Sequence, residues 1–376
     1  MKKSTKNILL VHSSNDQYGA SKILISIIEI LIKSGYSIHL ILPEDGPLNY
    51  HKSLININLS IINIGVFRKK YLNFFGLINR SFFIIKSTYQ IKKIIKKHNI
   101  NLVYTNTSTV ISPTFAAKLS NIPSIFHVHE IPYGSNLYTE FLTKIFNLFS
   151  KKIIAVSNST RDFWINKGVI NSKITVINNG FNFHFSTSKK TVKDKVIFTN
   201  VSRIIPYKGH LFLIDLFNEI LKKRNDLILQ IVGDTLPFYD YYFKSLNSKL
   251  KDYKIEKNII FLGYKKNIKS ILKDSNFFIH TPIHPDPFPT VIFEAIESCT
   301  PVIFTKNGGA KEILNDSKNG LAIDYNDVKK SADLILNYLT DIDLQILNVK
   351  DSVKFISKNF NKEIFKKKLL NLISTL

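Results

Sequence analysis

Short, mainly apolar runs alternate along this chain with longer segments that are apolar on one side only, and that alternation is the strongest constraint on its fold. In the first half the runs fall at residues 8–12, 37–42, 59–64, 102–105, 124–128, 153–156 and 175–177. In the second half they fall at 196–201, 227–232, 259–262, 276–280, 301–305 and 321–323. Each has the length of a strand, and a mainly apolar run suits strands buried on both faces of a parallel sheet. The intervening segments read as helices. The run 22–33, for example, is apolar and ends at Ser34-Gly35, a helix stop. Repeated strand, helix, strand units give parallel sheets with helices on both faces, an α/β fold. The polar, irregular stretch 186–195 reads as a linker. The expected organisation is therefore one domain over 1–185, a second over 196–352, and a helical segment over 353–376.

Composition narrows the class. Hydrophobic residues at 44% and charged residues at 21% describe a folded globular chain of 376 residues, long enough for two cores. Cys299 is the single cysteine, which excludes an internal disulfide framework and a cysteine metal cluster. Lying among small residues after Glu294, it is expected to be a buried packing residue. The basic start MKKSTKN precedes an apolar run at 8–11 that is far too short for a signal-peptide core or a membrane span. Cytoplasmic residence is the expectation.

The net charge is +24, and no acidic residue occurs from Pro47 to His129. That stretch carries Arg68, Lys69, Lys70, Arg80, Lys86, Lys92, Lys93, Lys96 and Lys97, a surface that attracts polyanions. Phe67, Tyr71, Leu72, Phe74, Phe75, Leu77, Phe82, Phe83, Ile84 and Ile85 are interleaved with these cations, as in a segment lying on an anionic membrane surface. The competing reading is a solvated basic helix with its aromatic residues turned inward. Nucleic acid is disfavoured, because no helix-turn-helix, zinc-finger or RNP signature accompanies the charge.

Residues 276–314 concentrate the chemistry. A strand at 276–280 runs into a loop punctuated by Pro282, Pro285, Pro287 and Pro289. A helix is expected from about Thr290, with Val291, Phe293, Ala295 and Ile296 as its apolar face. Asp286 lies just before this helix and Glu294 just inside it. The first N–H groups of the helix favour an anionic ligand group such as a phosphate, and in open α/β sheets ligands bind beyond the carboxyl ends of the strands. In the first half, His127-Val128-His129-Glu130 ends a strand, and alternation places both histidines on one face with Val128 on the other. Such a pair is an active-site contact, a hydrogen-bonded structural element, or half of a metal site whose further ligands do not appear at convincing spacing.

The spacing of Asp286 and Glu294, with seven residues between, resembles the E-x7-E motif of glycosyltransferase family 4, retaining enzymes that use nucleotide sugars. Thr300-Pro301-Val302-Ile303 and Gly308-Gly309-Ala310-Lys311-Glu312-Ile313 resemble that family's G-x-P-V-I strand and G-G-x-x-E-I loop. Ser202-Arg203-Ile204-Ile205-Pro206-Tyr207-Lys208-Gly209 resembles its G-R-x-x-x-x-K-G segment, Tyr18-Gly19-Ala20-Ser21 its G-G-A loop, His129-Glu130 its His-Asp/Glu pair, and Asn178-Asn179-Gly180-Phe181-Asn182 its P-N-G-V-D turn.

The resemblance implies the GT-B fold, in which two Rossmann-like parallel-sheet domains face each other across a cleft. An acceptor-side domain would occupy 1–185 and a nucleotide-sugar domain 196–352, with the last helix crossing back. It implies a hexosyltransferase in which His129 and Asp286 are catalytic. Gly19, Arg203, Lys208, Tyr264, Phe288, Thr290, Glu294, Gly308 and Gly309 would bind substrate. Within that set Glu294 holds the ribose, Asp286 the sugar hydroxyls, Arg203 and Lys208 the diphosphate, and Tyr264 the base. The donor would be a UDP- or GDP-sugar, with no cofactor and no metal, and the acceptor a saccharide or a lipid-linked saccharide. The setting would be bacterial surface polysaccharide or lipopolysaccharide synthesis, peripheral on the inner face of the cytoplasmic membrane. Tyr18, Ser202 and Pro289 stand where the family has glycine, and Asp286 stands for the usual Glu, one bond shorter. Asp341-Ile342-Asp343 lies outside any strand-end loop and is not read as a metal motif. A nucleotide-sugar 2-epimerase of the same fold, or a non-catalytic nucleotide-sugar-binding protein at a membrane surface, are the alternatives.

Overall fold

The computed structural model describes residues 6–16, 19–67, 71, 73–134, 136–186, 194–236 and 238–376. Tyr18, Arg68, Lys69, Lys70, Leu72 and most of the 186–195 linker lie outside them. The chain forms two compact units, one of residues 1–180 and 362–376 and the other of residues 181–361.

In the first unit the order is β1 (Asn7–Val11), α1 (Gly19–Lys33), β2 (Ser37–Leu42), β3 (Asn58–Ile61), α2 (Phe74–Lys97), β4 (Leu102–Thr105), α3 (Ser112–Leu119), β5 (Ser124–Val128), α4 (Asn136–Phe149), β6 (Lys152–Ala155), α5 (Asn158–Asn166) and β7 (Ile174–Val176). The strands form one parallel sheet in the order β3-β2-β1-β4-β5-β6-β7. Ile8, Leu9, Leu10 and Val11 are all fully buried, so β1 is covered on both faces, as its unbroken apolarity requires. Leu9 and Val11 pack with Ile91 and Ile95 of α2. Phe126 and Val128 pack with Phe146 of α4 and Trp164 of α5.

In the second unit the order is β8 (Val196–Val201), α6 (His210–Leu221), β9 (Leu227–Val232), α7 (Asp240–Tyr253), β10 (Ile259–Gly263), α8 (Lys269–Lys273), β11 (Phe277–His280), α9 (Val291–Glu297), β12 (Val302–Thr305), α10 (Ala310–Ile313), β13 (Leu321–Ile323), α11 (Val328–Thr340) and α12 (Ile342–Asn359). Its parallel sheet runs β10-β9-β8-β11-β12-β13. The last helix, α13 (Lys362–Ser374), belongs to the first unit, where Lys362 pairs with Glu29 of α1 at 2.9 Å.

Four features differ from the sequence expectation. The segment 353–376 is two helices broken at Phe360-Asn361, because the Phe360 carbonyl turns to accept the Phe181 N–H at 2.9 Å. Residues 181–185 pack with the second unit, since the Phe181 and Phe183 rings lie 4.7 and 5.7 Å from Phe293. Cys299 is only half-buried and has φ +54° just past α9, a conformation that suits glycine. The aromatic residues of α2 do not turn inward as a group. Phe74, Phe75 and Phe82 are exposed, while Arg80 is buried with its guanidinium 4.0 Å from the centre of the Tyr71 ring. Asp341 caps α12, its carboxylate accepting the Leu344 N–H at 2.9 Å. Among the described residues, no helix is long and apolar enough to cross a membrane.

Candidate active site

The strand order marks a candidate site in each unit. In the second sheet the chain runs outward from β8 through β9 to β10, then returns to the other side of β8 with β11. The loops after β8 and β11 therefore leave in opposite directions and open a crevice, the place where open α/β sheets bind ligands. Asn200, buried at the end of β8, donates to the Ile279 carbonyl across this junction at 2.8 Å.

The two loops touch. Gly209 has φ +76°, and a Cβ there would sit 1.9 Å from the Thr281 carbonyl oxygen, so only glycine lets the backbones meet. The Tyr207 carbonyl accepts the Ile283 N–H at 3.0 Å. This contact brings Lys208 against Asp286, and the two form an ion pair. Burial works to raise the Asp286 carboxyl, but Lys208 and His280 beside it hold it below the ordinary carboxylate value. His280, the last residue of β11, is buried with Nε2 3.6 Å from Asp286 Oδ2 and, among the described residues, no hydrogen-bond partner on that nitrogen. Burial pushes its pKa down to about 4, leaving the imidazole neutral at neutral pH. Arg203 is exposed at the mouth of the same loop.

The glycine pair after β12 is fitted to this loop. Cβ atoms on Gly308 and Gly309 would lie 2.2 Å from the carbonyl oxygens of Asp286 and Pro287 respectively. Gly309 N–H donates to the Asp286 carbonyl at 2.8 Å. The pair thus fixes the backbone that presents the Asp286 carboxylate.

Helix α9 begins after Thr290 and places half-buried Glu294 in its first turn. The N–H groups of Ile292 and Phe293 already bond the Pro289 and Thr290 carbonyls, so this helix start offers fewer free donors than its sequence suggests. Phe288, expected among the substrate contacts, is buried with its ring 5.5 Å from Phe293 and 5.7 Å from Phe360. Its side chain belongs to the aromatic cluster around Phe293. Tyr264 is exposed just past β10, its N–H bonded to Asp234 at 3.1 Å, and lies beyond β9 from the β8–β11 junction.

In the first unit the junction lies between β1 and β4. Asn106, just past β4, accepts from His129 Nε2 at 2.9 Å through Oδ1, while its Nδ2 faces His12 Nδ1 at 3.3 Å and the Ala20 carbonyl at 3.2 Å. His12 Nε2 lies 3.1 Å from Ser21 Oγ, which donates to Asp16 at 2.6 Å. An amide oxygen only accepts, so His129 carries its proton on Nε2. Burial, with His127 and His12 nearby, holds the His129 pKa well below its ordinary value. His127 and His129 share a face with ring centroids 4.1 Å apart. Glu130 is a loop staple: its carboxylate accepts from Thr107 Oγ1 at 2.6 Å, from Ser108 Oγ at 2.9 Å, and from the N–H groups of Ser108 and His129 at 3.1 Å. Gly19 opens α1, and among the described residues, its own helix and chain neighbours aside, nothing lies within 4 Å of where a Cβ would stand.

The Glycosyltransferase Family 4 model matches residues 18–185, and the Glycosyl transferases group 1 model matches residues 183–358. This chain belongs to glycosyltransferase family 4. It is a glycosyltransferase, and its two parallel-sheet units are the Rossmann-like domains of the GT-B fold.

Among its relatives is the UDP-Gal:alpha-D-GlcNAc-diphosphoundecaprenol alpha-1,3-galactosyltransferase of Escherichia coli, 25% identical over 92% of this chain and 89% of that protein. Another is the capsular polysaccharide biosynthesis glycosyltransferase CapH of Staphylococcus aureus, 29% identical over 54% of this chain and 59% of that protein. The structure of Anabaena Alr3699/HepE in complex with UDP-glucose superposes with a TM-score of 0.81 at 22% identity, covering 98% of this chain and all of that one.

Within the family frame, the sequence reading found Lys208, Asp286, Gly308 and Gly309, and the structure gathers them in one crevice of the second unit. It did not find His280, Asn106 or His12. A polar residue ending an apolar strand was the available signal for His280. Asn106 and His12 meet only because β1 and β4 are neighbours.

Proposed function

We propose that the enzyme transfers a hexosyl group, with retention of configuration and without a metal, from a UDP- or GDP-sugar to a saccharide on a lipid carrier during bacterial surface polysaccharide synthesis. The observation that carries this reading is the crevice between the loops after β8 and β11, where Lys208, Asp286 and exposed Arg203 converge beside the glycine pair. Two cations suit a diphosphate, and a carboxylate held ionised suits sugar hydroxyls. Charge-assisted bonds of this kind contribute about 1.5–3 kcal/mol each and stabilise the nucleoside diphosphate as it leaves. Lys208 would release Asp286 to grip the diphosphate, freeing the carboxylate for the sugar. Glu294 would take the ribose and Tyr264 the base. The phosphate of the donor would accept the acceptor proton, so no dedicated protein base is required. His129, neutral and held by Asn106, would orient the reacting sugar.

The names of the Escherichia coli and Staphylococcus aureus relatives and of the UDP-glucose complex support a nucleotide-sugar donor and a polysaccharide setting. The acid-free basic stretch supports work at the inner, anionic face of the cytoplasmic membrane. Calorimetry with UDP, GDP and their sugar conjugates tests the donor site. One nucleotide series is expected to bind, and Arg203→Ala or Glu294→Ala to weaken it tenfold or more. Correctly folded protein that binds none of them would remove the donor assignment. Release of an isomerised sugar without acceptor would identify an epimerase instead.

A further inference from the structure

Helix α2 carries a second apolar stripe that the fold does not use. Ile84, Ile91 and Ile95 turn to the core. On the opposite side Phe75, Ile78, Phe82, Ile85 and Tyr89 are all exposed, from 55% for Ile78 to 81% for Phe75. Their spacing alternates three and four residues, which sets them in one line along a helix. At a rise of about 1.5 Å per residue this line is about 21 Å long. Lys92 and Lys96 continue it, and exposed Lys86, Lys93 and Lys97 flank it. At the basic end, between α2 and the turns leading into β4 and β5, opens a cavity of about 600 Å³ whose lining includes Tyr89, Lys92, Lys93, Lys96, Asn101 and Ser120.

We propose that this face of α2 is a docking surface for an anionic lipid bilayer, with the apolar stripe in the interfacial layer and the lysine-lined cavity holding a lipid phosphate. Charge decides the occupant. No carboxylate exists between Pro47 and His129, so a second copy laid on this face would set lysine against lysine with nothing to pair them. A bilayer rich in anionic lipid supplies the missing charge, while aromatic side chains settle at the headgroup level. The docking deepens the membrane-surface reading given above and rests on it.

The test is sedimentation of the full chain with vesicles of phosphatidylcholine alone, and of phosphatidylcholine and phosphatidylglycerol in equal parts. Pelleting is expected with the mixed vesicles only, and is expected to weaken as salt rises. Replacing Lys92, Lys93 and Lys96 together by Ala loses on the order of a hundredfold in affinity, at about fivefold per lysine. The variant Phe75→Ser/Phe82→Ser/Ile85→Ser loses vesicle binding but keeps the melting temperature and nucleotide binding of the unsubstituted protein, because these side chains are exposed. In Phe82→Trp the new indole emission shifts to the blue with mixed vesicles, against the constant signal of buried Trp164. Equal binding to both vesicle types, or undiminished binding by the lysine variant, overturns the proposal. A dimer in ultracentrifugation that the serine variant converts to monomer would assign the face to a second copy and overturn it as well. Vesicle binding by protein that binds no nucleotide would leave the dock standing while the donor reading fell.

Discussion

Gly19 and Gly209 are the same residue kept for different reasons. Gly209 is demanded by the chain itself, through its left-handed φ of +76° and the Thr281 carbonyl 1.9 Å from a Cβ. Gly209→Ala is therefore expected to cost several kcal/mol, on the order of 2–4, by forcing apart the loops that bring Lys208 to Asp286. Gly19 is under no such demand from the described residues: its own helix and chain neighbours aside, none of their atoms lies within 4 Å of a Cβ there. Under the proposed function, that open space is where the donor phosphates would approach the backbone. Gly19→Ala should leave the melting temperature unchanged or slightly raised, as alanine favours a helix by about 0.5–1 kcal/mol, yet reduce transfer tenfold or more. Melting curves and initial rates on the two variants separate these outcomes, and full activity in Gly19→Ala would remove Gly19 from the substrate site. Both glycines stand out in the sequence because motifs mark them. The Asn106 amide, which links His12 to His129, does not, because it and its two partners come from three strand ends whose adjacency is a tertiary fact.

At the scale of elements, α9 shows how a short helix is made dependable. Seven residues are too few to hold a helix by backbone bonds alone. Its anchor is Phe293, only 2% exposed, whose ring has Phe181, Phe183, Phe288 and Phe360 within 4.7 to 5.7 Å. The same helix presents Glu294 on the next residue. Phe293→Ala is expected to cost about 3–5 kcal/mol and to weaken nucleotide binding, although the ring itself lies in the core. Denaturant unfolding with calorimetry on the same preparation checks both effects. Loss of stability with unchanged binding would show that Glu294 is held by something else. The apolar face of α9 was legible in the sequence, but its partners were not. Phe181 read as part of the turn at 178–182, Phe183 as the tail of the first domain, and Phe360 as the interior of one helical segment. Only tertiary packing shows that these segments meet around Phe293.

At the scale of the whole molecule, the strands were legible because strands covered by helices leave mainly apolar runs, and each run found its place in one of two parallel sheets, although β3 and β10 at the sheet edges are largely uncovered. What periodicity could not give is the polar content of those interiors. Each unit encloses neutral histidines. His127 in the first and His210 in the second are fully buried, and burial lowers both from 6.5 to about 3; His280 falls to about 4. Their folded values lie below the unfolded one, so the unfolded chain takes up protons first as pH drops. The stability they contribute is complete above about pH 6.5 and is lost as pH falls toward 3–4. Between pH 7 and pH 5 each contributes a loss on the order of 2 kcal/mol. For units of this size that lowers the melting temperature by several degrees or more. Asp286, depressed by Lys208 and His280, adds a loss of the same sign at still lower pH. Thermal melts from pH 7.5 to 4.5 should therefore show both units weakening in one acid window. His210→Gln, which cannot take up a proton in this range, should flatten the slope of the second unit alone. A flat pH profile in the unsubstituted protein would mean that these histidines are solvated or charged when folded, and the neutral tautomer assigned to His129 would lose its support with them.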